Sequence, residues 1–431
     1  MSAVIATERT HPLAMLALAI FALFWCLAVT MVKLEAGLPV RVWVLLLGLG
    51  WLATLYRVPW ADLTRGNVHL STLAGMAAVG MITTLWGTLD WPGTLLMVVK
   101  WVLQPALAFL FTVLIAHLYG VRVVVRIFFA VVALTAFVAV LQGLDFQPAW
   151  DLKYRFEQWQ GLDRAQIFAI EQESGGGAYQ DQYRSRGLSY SPIHLGYQIT
   201  LVVGLLYYAS QRAPALNPLS PRWTWALIGL LFAAAVFSGT RSTIGGLLLL
   251  LPLHYLVCHK HRGVGVLLVT GLLLLAPVLF ALASQLLDLR IFSTTDSSMQ
   301  ARVPLTMLGL KLFWDNPLGH GWLIEASDLA DQYWHRLYHI NNAEVVVYRG
   351  IHNHAVKMLF VYGLVGAGLL IYYLATLKRM FGVALLVALA PYGFHALFHN
   401  DGIFLGGNYI WVWLGILHCY WMEQRRNDAA T

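Results

Sequence analysis

About twelve apolar runs, each near the length that crosses a lipid bilayer, constrain this chain more than any motif in it. Spanning the hydrocarbon layer takes about 20 predominantly apolar residues per helix. Such runs are read near Pro12 to Val32, Val40 to Tyr56, Leu70 to Leu89, Gly93 to Tyr119, Val121 to Leu144 and Ser189 to Ser210. They continue near Trp223 to Phe237, Thr243 to Cys258, Val264 to Leu289, His354 to Leu377, Phe381 to Phe398 and Ile403 to Met422. Of 431 residues, 59% are hydrophobic and 11% charged, with a mean hydropathy of +0.66, whereas soluble domains carry roughly 25% charge. The predicted fold class is all-α: one polytopic membrane domain over residues 1–431, with no internal repeat of useful period.

The basic residues sort to one side of that bundle. With both termini placed inside, one set of segments holds Arg9, Arg57, Arg65, Arg122, Arg126, Arg212, Arg222, Lys260, Arg262, Lys378, Arg379, Arg425 and Arg426. The short segments opposite hold Lys33, Arg41 and Arg241. Short cytoplasmic loops retain Lys and Arg, so both termini are expected in the cytoplasm. The net charge of +7 then reads as the cytoplasmic flank against membrane lipids, not as a nucleic-acid surface. The first run is longer than a signal-peptide core and no small-residue cleavage site follows it, so it is read as a retained helix. Cys26, Cys258 and Cys419 lie far apart in apolar runs and suggest neither a disulfide framework nor a zinc cluster.

Two long insertions, residues 145–187 and 290–351, fall on the side opposite the basic flank. The first carries an interfacial stretch with Trp150, Tyr154, Phe156 and Trp159, then Ser174-Gly175-Gly176-Gly177 and the basic exit Tyr183-Arg184-Ser185-Arg186-Gly187. The second reads as a helix from Ser298 to Trp314, a break at Asn316-Pro317-Leu318-Gly319, and a second helix from Ser327 to Ile340. Long loops tend to carry function, and here both share a side.

The cations on that side need no topological role. Arg241 sits in the tight junction Ser238-Gly239-Thr240-Arg241 against the positive-inside bias, beside hydroxyls and helix-start amides that suit an anion. Arg184 and Arg186, two apart before a helix, offer planar forks of permanent charge for a pyrophosphate. Arg302 is as readily a solvated helix face as a ligand contact. Ile351-His352-Asn353-His354 opens a membrane run, where a partly desolvated imidazole stays neutral and serves as a base. His352 is the expected base, Asn353 its neighbour in support, and His354 the lesser candidate; Glu344 and Asp401 are the carboxylates to consider next. His335 and His339 share a helix face, as do His395 and His399, but the first pair lacks the Glu of a zincin helix. No Asp-x-Asp cluster appears, so a metal-independent site is expected.

The order of these pieces resembles the O-antigen ligase and polymerase superfamily of bacterial membrane glycosyltransferases. The pieces are Arg186-Gly187 before a helix, Ser238-x-x-Arg241 at an outside turn, Arg302 then Asn316-Pro317-Leu318-Gly319-x-Gly321, and His352-Asn353 followed by Gly363-Leu364-x-Gly366. Val361 stands where members often have Glu. The resemblance implies a GT-C-like fold and a periplasmic active site in the bacterial inner membrane, with no cofactor. It implies a donor glycan on undecaprenyl pyrophosphate and an acceptor hydroxyl on lipid A-core oligosaccharide. Arg184, Arg186, Arg241 and Arg302 would hold the pyrophosphate, His352 would act as base, and Ser238, Asn353 and His354 would support them. Polymerisation of repeat units and protein O-glycosylation remain open within that superfamily, and an anion transporter remains open outside it.

Overall fold

A computed structural model describes residues 12–27, 44–50, 67–159, 184–259, 262–271, 302–340 and 343–430. Most of the runs Val40 to Tyr56 and Val264 to Leu289, the Ser174 to Gly177 stretch and the start of the second insertion lie outside those residues. What is described is helical, with no strand among the described residues.

The helices are α1 (Pro12–Leu27), α2 (Val68–Thr88), α3 (Trp91–Tyr119), α4 (Val121–Gly143), α5 (Gln147–Trp159), α6 (Pro192–Arg212) and α7 (Pro221–Phe237). They continue as α8 (Arg241–Cys258), α9 (Arg262–Gly271), α10 (Arg302–Asp315), α11 (His354–Phe381), α12 (Val383–Ala396) and α13 (Tyr409–Ala430). Five of them, α2, α3, α4, α8 and α11, are long and apolar enough to cross a membrane. The expected count of about twelve is therefore matched in part: α7, α9 and α12 are apolar but shorter.

Sequence sets the boundaries locally. Asn67 caps α2 by accepting from the His69 and Leu70 amides, and Asp90 caps α3 through the Gly93 amide. Ser191 caps α6, with Pro192 at its first position. Within α3 the backbone widens to a π turn over Val99–Leu103.

The core forms where α12 is sandwiched between α6 and α8, with α13 against α3 and α7 against α4. Small residues allow the tightest of these approaches: a Cβ on Gly204 of α6 would fall 2.3 Å from the Ala388 carbonyl oxygen, and one on Gly246 of α8 2.6 Å from that of Pro391. Trp411 and Trp413 of α13 are fully buried.

α11 is not one rod. Gly363 takes φ 61°, ψ −160° and breaks it, which strands the Phe360 and Val361 carbonyls and the Leu364 amide. The 316–321 turn takes up all three. His320 and Gly321 amides donate to Phe360 and Val361 at 2.7 and 3.0 Å, and Leu364 donates to Pro317 at 2.9 Å. The His320 ring stacks on Phe360 at 4.7 Å. The Asn-Pro-Leu-Gly-x-Gly motif is thus a splice that satisfies broken helix backbone where water is scarce.

Candidate active site

The expected site residues gather at one end of the bundle, where α7 ends, α6, α8, α10 and α11 begin, and α12 ends. The basic flank occupies the other ends of the same helices: Arg212 closes α6, Arg222 opens α7, and Lys378 and Arg379 close α11. Arg122 at the start of α4 donates to the Ala215 carbonyl at 3.1 Å, tying that end together.

The turn between α7 and α8 is built around Ser238. Its hydroxyl donates to Ala235 O at 2.8 Å, and Gly239 turns the chain with φ 61°. Arg184 lies across this turn, Nε donating to Ser238 O and a terminal nitrogen to Thr240 Oγ1, both at 2.9 Å. Arg241 follows directly as the first residue of α8. Arg184 and Arg241 are therefore brought together by the local chain path, 57 positions apart in sequence.

Arg186 goes elsewhere. It is 1% exposed, pairs with Glu157 of α5 at 3.2 Å, and donates to Tyr190 O at 3.4 Å. Lys153 reaches the other oxygen of Glu157 at 3.2 Å and donates to Ser189 O at 2.8 Å. Gln142 accepts from the Arg186 and Gly187 amides. This guanidinium fastens α5 to the start of α6, in a buried cluster that the charge pattern before α6 did not reveal.

His352 precedes α11 and is half-buried. Its Nδ1 lies 2.7 Å from Gly350 O. A carbonyl only accepts, so Nδ1 carries the proton and Nε2 of the neutral ring keeps its lone pair. Burial, then the charges of Arg302, Arg349 and Lys357, hold this histidine below its ordinary value, against the opposing pull of the Gly350 hydrogen bond. Asn353 does not orient the imidazole: its side chain accepts from Val356 N at 3.1 Å and caps α11. His354 is turned inward, 8% exposed, against Gly402, with neither ring nitrogen hydrogen-bonded.

Arg302 opens α10 with its guanidinium 5.5 Å from the Phe398 ring centroid. Beside it lies a histidine pair that sequence suggested only as a metal motif. His395 and His399 lie with ring centroids 4.5 Å apart, tilted at 54°, and Ser242 bridges them at 2.9 and 3.1 Å. His395 Nε2 donates to Ile193 O at 3.0 Å. Burial, followed by His395, Arg302, Arg184 and His352, holds His399 well below its ordinary value. The charges of Arg184 and Arg302, and His352, all act on His399. Ionisable residues inside an apolar run were the available signal. Among the described residues no three His, Cys, Asp or Glu side chains converge as a metal-binding group.

Residues 226–371 match the family model described as O-antigen ligase. That segment is similar to the O-antigen ligase family. The match covers about a third of the chain and takes in Ser238, Arg241, Arg302, the 316–321 splice, His352 and the Gly363 break. A comparison with curated proteins gives no match. The O-antigen ligase family is membrane glycosyltransferase-like. Arg184, His395, His399 and the 401–408 loop lie outside the matched segment but complete the same end of the bundle.

Proposed function

We propose that the protein is an O-antigen ligase that moves a glycan from undecaprenyl pyrophosphate to a hydroxyl of lipid A-core oligosaccharide. One observation carries this reading: His352 presents a basic Nε2, its other nitrogen pinned to Gly350, among cations at the mouth of a broken membrane helix. The acceptor oxygen attacks the anomeric carbon while Nε2 takes its proton. The bond from that carbon to the pyrophosphate oxygen breaks, and the electron pair leaves with the pyrophosphate. Arg184, Arg241 and Arg302 meet the charge that grows there, which lets fixed cations serve in place of a metal. One displacement inverts the anomeric centre. Arg186, locked to Glu157, braces the site and does not touch donor. The active site faces the periplasm, opposite the basic flank.

Purified protein incubated with lipid-linked glycan and lipid A-core, with and without EDTA, tests the reading. Glycosylated lipid A-core should form in both reactions with inverted linkage. Chain extension of the lipid-linked glycan instead would make the enzyme a polymerase, and loss of product with EDTA would turn the histidines into ligands.

A further inference from the structure

Next to this mouth lies a cavity of about 190 Å³ that the mechanism above does not use. The π turn of α3 contributes Lys100 and Trp101 to its wall, with Gln104 one residue beyond; His194 of α6 and the loop carrying Asp401 and Asn408 close it. Local π turns inside α-helices recur at functional sites because they re-aim side chains. Here the turn at Val99–Leu103 directs an ammonium and an indole to one space.

Among aromatic and aliphatic side chains the wall carries polar groups of both senses. Lys100, Gln104 and Asn408 supply N–H donors, Asp401 supplies a carboxylate, and Trp101 supplies a flat aromatic face. A lipid tail gains nothing from a carboxylate and two amides, and a bare phosphate would meet Asp401. A sugar ring has hydroxyls that donate and accept, and a C–H face that lies flat on an indole. The volume, below the roughly 300 Å³ at which pockets for drug-sized ligands begin, suits one ring.

The cavity borders residues around the proposed base at two places. The Lys357 ammonium, one of the charges acting on His352, lies 5.8 Å from the Trp101 ring centroid. Gly402, in the cavity wall, packs on His354. The loop is held in place by Tyr197, whose hydroxyl donates to Asp401 O at 2.5 Å, and by His194, 3.7 Å from the Asp401 carboxylate.

We propose that this cavity is a saccharide subsite, which seats one sugar ring of the donor or acceptor glycan on Trp101 beside the ring that reacts at His352. The assignment rests on glycan transfer as the function. Saturation-transfer NMR on the purified full chain tests it with two free oligosaccharides as probes: the repeat-unit glycan released from its carrier, and core oligosaccharide released from lipid A. Ring protons of one of them should receive saturation, and which one does so identifies the donor or the acceptor as the source. Trp101→Ala should weaken that binding about tenfold, the size of one lost aromatic contact. Asp401→Asn, nearly isosteric and so the safer variant for folding, should weaken it measurably at an unchanged melting temperature. Binding by neither oligosaccharide, or full binding in both variants, overturns the subsite. If the variants weaken binding while His352→Ala keeps its turnover, the subsite stands and the base assignment falls.

Discussion

Gly319 and Gly363 meet backbone to backbone: a Cβ on Gly319 would lie 2.7 Å from the Gly363 nitrogen, and one on Gly363 2.3 Å from the Leu318 carbonyl carbon. Both have positive φ, 97° and 61°. The contact lets the 316–321 turn serve as the missing partner of the broken helix, and so fixes the half of α11 that begins two residues after His352.

Replacing Gly363 with alanine should therefore cost about 1–3 kcal/mol from backbone strain alone, with the clash added to it. Gly368→Ala is the control, because a Cβ there meets open space. Thermal unfolding in detergent should show a clear drop for the first and none for the second; equal melting temperatures would mean that the splice is not needed.

His352→Ala should fold, keep the donor bound, and lose about 10² to 10⁴ in turnover, the usual worth of a general base. His354→Ala empties a packed position against Gly402 and should lower the melting temperature while sparing turnover per folded molecule. A dead His354→Ala beside an active His352→Ala would place the base two residues further on.

The pH profile carries a sign. A base works when neutral, and burial together with Arg302, Arg349 and Lys357 lowers the His352 pKa. Activity should persist as pH falls to the ordinary histidine value of about 6.5, and decline only below it. Lys357→Met removes one cation, raises that pKa, and should move the acid limb toward higher pH. An acid limb unmoved by this change would argue that another group titrates.

Two arginines that look alike in sequence should separate by assay. Arg186→Ala leaves Glu157 with Lys153 as its remaining cation and should lower the melting temperature, by less than the about 3–5 kcal/mol of a buried charge left wholly unpaired. Arg241→Ala should melt like the parent yet transfer almost no glycan, while Arg241→Lys keeps the charge, loses the fork, and retains part of the activity. Near-native activity in both Arg241 variants would reduce it to a helix-start residue.

Orientation can be read by chemistry. A cysteine at Ser327, in a background without the native cysteines, should react with an impermeant thiol reagent in intact spheroplasts. Labelling only after lysis would turn the bundle over and remove the periplasmic reaction.

The helices were legible because membrane-length apolar runs leave few alternatives, and Arg241, Arg302 and His352 stood out in sequence as charges or an imidazole near helix starts. The pairing of Arg186 was hidden because its partner stands 29 positions earlier, in a stretch read by its aromatics. The Lys153–Glu157 spacing of four on one helix face was the clue to a charge cluster there. His395 and His399 were weighed only as metal ligands, since nothing linear links them to Ser242. Lys100, alone within an apolar run, was a signal of the same kind. The role of Gly319 was hidden for a different reason: its partner is another backbone, which leaves no side-chain pattern.

The Glu157–Arg186 pair has a consequence for the turn between α7 and α8. It holds α5 against the residues that lead into α6, 3.2 Å apart between side chains. Arg184, which lies across that turn, stands only two residues before the clasped guanidinium. Loosening the clasp therefore loosens the turn without touching any group in it.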